Sequence, residues 1–181
     1  MTPPTLVLVP GLGGSGPLHW QSLWQPRFAG CRRVEQADWD RPTLPEWMAS
    51  LDAAVRGTGG PVVLAAHSLA CSLVAHWAAG HDVRQVRAAF LVAPADVDSP
   101  AHTPVEVRGF APMPLACLPF PALVVASQDD PYVDPGRARA FAAAWGAAFE
   151  EVGRAGHLNT ASGLGAWPAG EALLRRLAGG L

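Results

Sequence analysis

Three kinds of side chain in this sequence could together break an acyl bond, and each stands where an apolar run gives way to a loop. The first is a serine, in Val62-Val63-Leu64-Ala65-Ala66-His67-Ser68-Leu69-Ala70. A serine hydroxyl is a poor nucleophile at neutral pH and needs a base to take its proton as it attacks. Imidazole titrates in the right range, and His157 lies in Ala155-Gly156-His157-Leu158-Asn159. A carboxylate would hold the imidazole tautomer and stabilise the imidazolium that forms. Ser127-Gln128-Asp129-Asp130-Pro131 supplies one. Asp130 is the first choice, with Asp129 and Asp96 as alternatives. The tetrahedral intermediate would also need donors for its negative oxygen, each worth about 3–4 kcal/mol. The N–H of Leu69, at a helix N-terminus, is one candidate. The other is the N–H of Leu12 in the loop Gly11-Leu12-Gly13-Gly14-Ser15-Gly16, with Gly11 or Gly13 as alternatives.

Each of these residues has a plainer reading. Ser68 alone could be a helix N-cap, a position serine favours. An Asp-Pro step alone marks a turn, and a histidine beside glycine can be a loop residue only. What separates the readings is placement, and placement depends on the elements.

Thr5 to Val9 is uncharged, ends at Pro10-Gly11 and reads as a buried strand. A helix is predicted from Pro17 or Leu18 to Phe28, with Trp20 and Trp24 one turn apart. Arg32 to Ala37 reads as a second strand and Leu44 to Arg56 as a helix, with Trp47, Leu51 and Val55 at helical spacing. Pro61 to Ala66 is the third strand and Leu69 to Ala79 its helix. Val86 to Ala93 is the fourth strand. Residues 94–121 are rich in proline and read as an extended surface segment with one short helical turn. Ala122 to Ala126 is the fifth strand, 134 or 135 to Trp145 a helix, Ala147 to Val152 the sixth strand, and Ala166 to Ala178 the last helix.

Strands apolar on both faces, alternating with helices, predict a parallel sheet covered on both sides. The expected fold is a three-layer α/β/α sandwich, a minimal α/β-hydrolase fold of about six mostly parallel strands in the order 2-1-3-4-5-6. Functional groups of such sheets collect at the carboxyl ends of strands. Ser68 follows strand three, Asp130 strand five and His157 strand six. Strand, abrupt turn and helix around Ser68 form the layout of a nucleophile elbow, and Ser, Asp, His is the chain order of α/β-hydrolases. The elbow pattern carries glycines on either side; here Ala66 and Ala70 stand in their place.

Bulk properties narrow the function. At 181 residues the chain suits one domain, 1–181. A net charge of −2 provides no basic field for nucleic acid. No apolar run reaches the length of a membrane span, and the start has no basic leader region. Cys31, Cys71 and Cys117 are too scattered for a disulfide framework, which suggests reduced packing residues in a cytoplasmic protein. All 13 basic residues are arginine, so a lysine Schiff base and a P-loop lysine are excluded. His76 and His81 have poor ligand spacing, so no metal and no other cofactor is expected. His67 reads as a packing or hydrogen-bonding residue. Gly11, His19, Phe110 and Leu158 are expected to line the substrate pocket, with Phe110 to Phe120 as its roof. The tryptophans Trp20, Trp24, Trp39 and Trp47 read as core.

One rival motif remains. Gly11, Gly13 and Gly16 match the dinucleotide-binding spacing G-x-G-x-x-G after a first strand, with Glu35 or Asp38 as the ribose-binding acid. Against it, Pro17 follows the last glycine at once, where the helix should already run.

With these pieces in place the sequence resembles the small serine hydrolases related to retinoblastoma-binding protein 9, in their bacterial branch. The resemblance rests on Val9-Pro10-Gly11 with His19-Trp20 and Trp24, Gln36-Ala37-Asp38-Trp39, His67-Ser68-Leu69, Val92-Ala93-Pro94-Ala95-Asp96, Leu118-Pro119-Phe120-Pro121, Ser127-Gln128-Asp129-Asp130-Pro131-Tyr132, and Ala155-Gly156-His157-Leu158-Asn159 with Gly163 and Trp167. It implies an α/β-hydrolase without a large lid domain, a triad of Ser68, Asp130 and His157, and hydrolysis of short acyl esters or related bonds. Ala70 departs from it, since members usually carry glycine there. The mammalian member's L-x-C-x-E contact motif is incomplete in Leu115-Ala116-Cys117-Leu118-Pro119, so a retinoblastoma-type partner is not expected. A small ester or amide is the expected partner, and a monomer the expected state. A non-catalytic binding protein on the same fold is the alternative.

Overall fold

The computed structural model describes residues 3–179 and 181; the leader-free reading of Met1 and Thr2 falls outside the described residues. Strand β1 is Thr5–Val9, β2 Arg32–Arg33, β3 Val62–His67, β4 Val86–Val92, β5 Ala122–Ala126 and β6 Ala148–Glu151. They form one sheet in the order β2-β1-β3-β4-β5-β6, and every neighbouring pair is parallel. This is the expected winding. All six residues of β3 are buried, as suits a central strand of a sheet covered on both faces.

Alternation along the strands divides the core in two. Val7, Val9, Leu64 and Ala66 face one cluster with Trp47 and Leu51 of α2 (Leu44–Arg56), Leu73 and Trp77 of α3 (Leu69–Gly80), and Phe141 and Trp145 of α4 (Pro135–Trp145). Leu6, Leu8, Val63 and Ala65 face the other, with Trp20 and Trp24 of α1 (Trp20–Trp24) and Leu173 and Leu174 of α5 (Pro168–Ala178). Trp20, Trp24 and Trp47 are thus core residues, and Trp39 packs at the edge of the first cluster.

Three elements differ from expectation. Helix α1 begins at Trp20, because His19 is extended and caps it, its Nδ1 accepting the Gln21 N–H at 3.2 Å. Pro26 then converts its end to a 3-10 turn, Gln25–Arg27. Strand β2, at one edge of the sheet, pairs at only two positions. Residues 94–121 contain a 3-10 turn, Val105–Phe110, and no strand. This segment is less superficial than expected: Val107, Phe110, Met113, Leu118 and Phe120 all enter the first cluster.

Candidate active site

The chain leaves β3 at His67 and enters α3 at Leu69, so Ser68 must reverse direction within one residue. It does so at φ 59° and ψ −123°. A non-glycine residue held in such a sparsely populated region costs about 1–3 kcal/mol and persists only where its surroundings enforce it. Here the Ser68 N–H donates to the Val92 carbonyl at 2.9 Å, and the Ser68 carbonyl accepts from Cys71 at 3.0 Å. Its side chain makes no cap hydrogen bond, which removes the helix-cap reading. Ala66 and Ala70 are both fully buried. The closest approach falls instead at Gly11, where a Cβ would lie 2.7 Å from the His67 carbonyl oxygen and 3.0 Å from the Ser68 Cβ.

The hydroxyl meets His157. Ser68 Oγ lies 2.8 Å from His157 Nε2, and His157 Nδ1 lies 2.9 Å from each oxygen of Asp130. A carboxylate only accepts, so the ring proton belongs on Nδ1 and the Nε2 lone pair faces the serine. The other two acids are committed elsewhere. Asp129 accepts from Ser127 and from the Gly156 N–H, and the Gly156 bond foremost holds its carboxyl below the usual range. Asp96 pairs with Arg137 at 2.9 Å. The Asp130 carboxylate also accepts from the Tyr132 N–H at 2.9 Å, and the Tyr132 ring lies 4.4 Å from that of His157.

The loop carrying His157 is fastened from the first half of the chain. His67 Nε2 donates to the His157 carbonyl at 2.9 Å, and Trp20 Nε1 to the Leu158 carbonyl at 2.9 Å. The fastening offsets the positive φ of Leu158, 50°. His67 therefore has the hydrogen-bonding role read from sequence. Burial first, then the neighbouring His157 and His19, keep it well below its ordinary pKa. His19 is also neutral: burial, with Arg33 and His157 adding to it, pushes it down to about 4. Because His19 Nδ1 accepts the Gln21 amide, its proton sits on Nε2, which is buried with no partner among the described residues.

Ser68, His157 and His19 open onto a cavity of about 420 Å³, which Leu12 and Leu69 also line. The Gly13 N–H donates to Trp39, which removes it from the candidate anion donors. The pocket expectations need correction at three positions. Gly11 lies beneath the Ser68 turn, where the close approach excludes a side chain. Leu158 is fully buried in the second core cluster. Phe110 is also fully buried, its ring 5.7 Å from Trp47 and its carbonyl bonded to His76. The wall comes instead from Thr103, Pro104 and Val107, ahead of the predicted roof, with Tyr132 and Asn159 to Ala161. Proximity to Asp130 and His157 in sequence could have singled out Tyr132 and Asn159. Nothing local marks Thr103 to Val107.

The glycine loop does not open a helix: Gly16 precedes a separate turn, and α1 starts at Trp20. Asp38 is engaged by the Arg41 amide and guanidinium, and Glu35 pairs with Arg33. These residues do not form the dinucleotide site. A serine with a hydrogen-bonded, carboxylate-oriented imidazole can instead deliver an alkoxide-like oxygen to an electrophilic carbonyl.

Comparison with known proteins points to a serine hydrolase. No protein of curated function matches the sequence. Among solved structures, the chain is similar to a YdeN-like hydrolase from Pectobacterium atrosepticum, at 31% identity and a TM-score of 0.87, covering 98% of this chain and 91% of that one. The ydeN gene product of B. subtilis shares the fold at 19% identity and a TM-score of 0.76, over 96% and 98% of the two chains. So does a thermophilic esterase from Thermogutta terrifontis, at 17% identity and 0.70, over 98% and 91%. The model of the serine hydrolase family matches residues 6–176. With its parallel sheet in the order β2-β1-β3-β4-β5-β6, the chain has the α/β-hydrolase fold and belongs to the serine hydrolase family.

Proposed function

We propose that this hydrolase is a carboxylesterase-like enzyme that cleaves small acyl esters through a Ser68-His157-Asp130 triad and an acyl-enzyme. One observation carries the reading: the unbroken line of hydrogen bonds from Ser68 Oγ through His157 to Asp130, opening on a cavity. The esterase from Thermogutta terrifontis, of the same fold, lends support.

In the proposed cycle, His157 Nε2 takes the Ser68 proton as Oγ attacks the ester carbonyl carbon. Asp130 stabilises the imidazolium. The carbonyl oxygen becomes an anion and accepts from the N–H groups of Leu69 and Leu12. Leu69 opens α3, so its N–H has no acceptor within the helix. The intermediate collapses as His157 returns the proton to the leaving alcohol. Water, deprotonated by the same imidazole, then releases the acid and restores Ser68. Short acyl chains are expected, and a p-nitrophenyl ester series of increasing chain length tests this.

A fluorophosphonate probe tests the assignment. Wild type is expected to label and Ser68→Ala to lose both labelling and p-nitrophenyl butyrate hydrolysis. Folded wild type that does not label, or a Ser68→Ala variant that labels equally, would leave a binding protein on a hydrolase fold as the better reading.

A further inference from the structure

We infer that the site selects esters carrying no charge on either the acyl or the alcohol part lodged in the cavity; this rests on the esterase reading above. The observation is the chemistry of the wall. Among the described residues lining the cavity there is no arginine, aspartate or glutamate, although the chain contains 13 arginines and 15 acids. Its polar residues are Ser68, Thr103, Tyr132, Asn159, Thr160 and three histidines, none of them an arginine or an acid. His19 and His67 do not alter this near neutral pH, since burial keeps both rings unprotonated.

The cations closest along the chain are already employed. Arg108 follows the lining residue Val107, but its guanidinium donates to the Val97, Ser99 and Thr103 carbonyls and the Thr103 hydroxyl. It holds residues 97–103 against the 3-10 turn and has no donor pair turned to a ligand in any of these bonds. Arg137 is held by Asp96 and Asp98, and Arg154 lies beside Asp129. Asp130 is spent on His157.

A substrate carboxylate in this cavity would lose water without gaining a counter-charge, which buried ions tolerate poorly. It would also stand near the oxyanion as that charge develops, raising the barrier and not only weakening binding. A substrate cation would face no carboxylate and would oppose the imidazolium forming on His157. A neutral ester meets apolar wall at Leu12, Pro104 and Val107, with neutral hydrogen-bonding groups around it.

The test compares matched p-nitrophenyl esters: pentanoate, hemisuccinate and 4-(trimethylammonio)butyrate, each corrected for its reaction with hydroxide. Wild-type kcat/KM is expected to be at least 100-fold higher for pentanoate than for either charged ester. Thr160→Arg, at an exposed position of the wall, supplies a counter-charge and is expected to raise the hemisuccinate-to-pentanoate ratio at least tenfold. Ala161→Arg serves if that variant does not fold. Charged and neutral esters cleaved within threefold of one another would overturn the inference and leave the esterase reading intact. No turnover of any ester, with no fluorophosphonate labelling, would overturn both.

Discussion

Replacing Gly11 with alanine adds one carbon at the tightest point behind the candidate nucleophile. That Cβ would lie 2.7 Å from the His67 carbonyl oxygen, 3.0 Å from the Ser68 Cβ and 3.2 Å from the Leu69 nitrogen. None of these atoms is the far end of a flexible side chain. To restore ordinary contact, at 3.4 Å or more, the loop and the Ser68 turn must part by roughly 0.7 Å. The Ser68 hydroxyl is 2.8 Å from His157 Nε2, so a separation of that size takes the pair to the limit of a hydrogen bond. Overpacking of this kind costs about 1–3 kcal/mol of stability. For a chain of this length that lowers Tm by roughly 5 °C. Misplacing reacting groups by about 1 Å can cost about 100-fold in rate. Gly11→Ala is therefore expected to lower kcat/KM for p-nitrophenyl butyrate by roughly 30- to 100-fold, more than its modest loss of Tm would suggest. The same variant should label more slowly with fluorophosphonate. A Gly11→Ala enzyme within threefold of wild type would refute the claim that this contact holds Ser68 in place. The contrast is Ala70→Gly: Ala70 is fully buried in the existing packing, so its truncation is expected to cost about 1 kcal/mol of helix stability and to leave the turn closed.

Two further predictions use the histidines around His157. His67→Phe keeps a ring of similar size but removes the donor to the His157 carbonyl. It should lower kcat about tenfold with KM little changed and cost about 1–3 kcal/mol for the orphaned carbonyl, read by steady-state kinetics and urea unfolding; an unchanged kcat would show that the bond does not position the base. His19 has a folded pKa of about 4 against 6.5 when unconstrained, chiefly through burial, so between those values the unfolded chain binds a proton that the folded chain does not. Stability should therefore fall as pH drops from about 6.5 towards 4, by up to about 3 kcal/mol from this group. Urea unfolding at pH 7, 5.5 and 4.5 measures it, and His19→Asn, which can still cap α1, should remove that part of the slope.

What was legible in the sequence was what local pattern controls. Uncharged runs such as Val62 to Ala66, bounded by turn residues, read as buried strands, and alternation with helices marks the edge of a parallel sheet on which Ser68, Asp130 and His157 meet. The neighbouring carboxylates were harder, because Asp129 and Asp130 differ only in direction, which the hydrogen bond from Gly156 to Asp129 decides. The start of α1 escaped because a histidine serves as the cap, in place of the usual serine, threonine or aspartate. The cavity wall escaped most completely. Thr103 to Val107 takes its shape from Arg108 reaching back to residues 97–103, and Phe110 is drawn into the core by Trp47. Such contacts have no periodicity to betray them.

The two indole hydrogen bonds from α1 also bear on the order of events during synthesis. Trp20 reaches a carbonyl 138 residues later and Trp24 one 142 residues later. At about 5–20 residues per second, a ribosome needs on the order of ten seconds to make the intervening chain. In the later part of that interval, between the synthesis of Ser68 and that of His157, the nascent chain carries the serine without the loop that bears the histidine. Ser68 thus gains its imidazole partner only once the segment that carries His157 has been made.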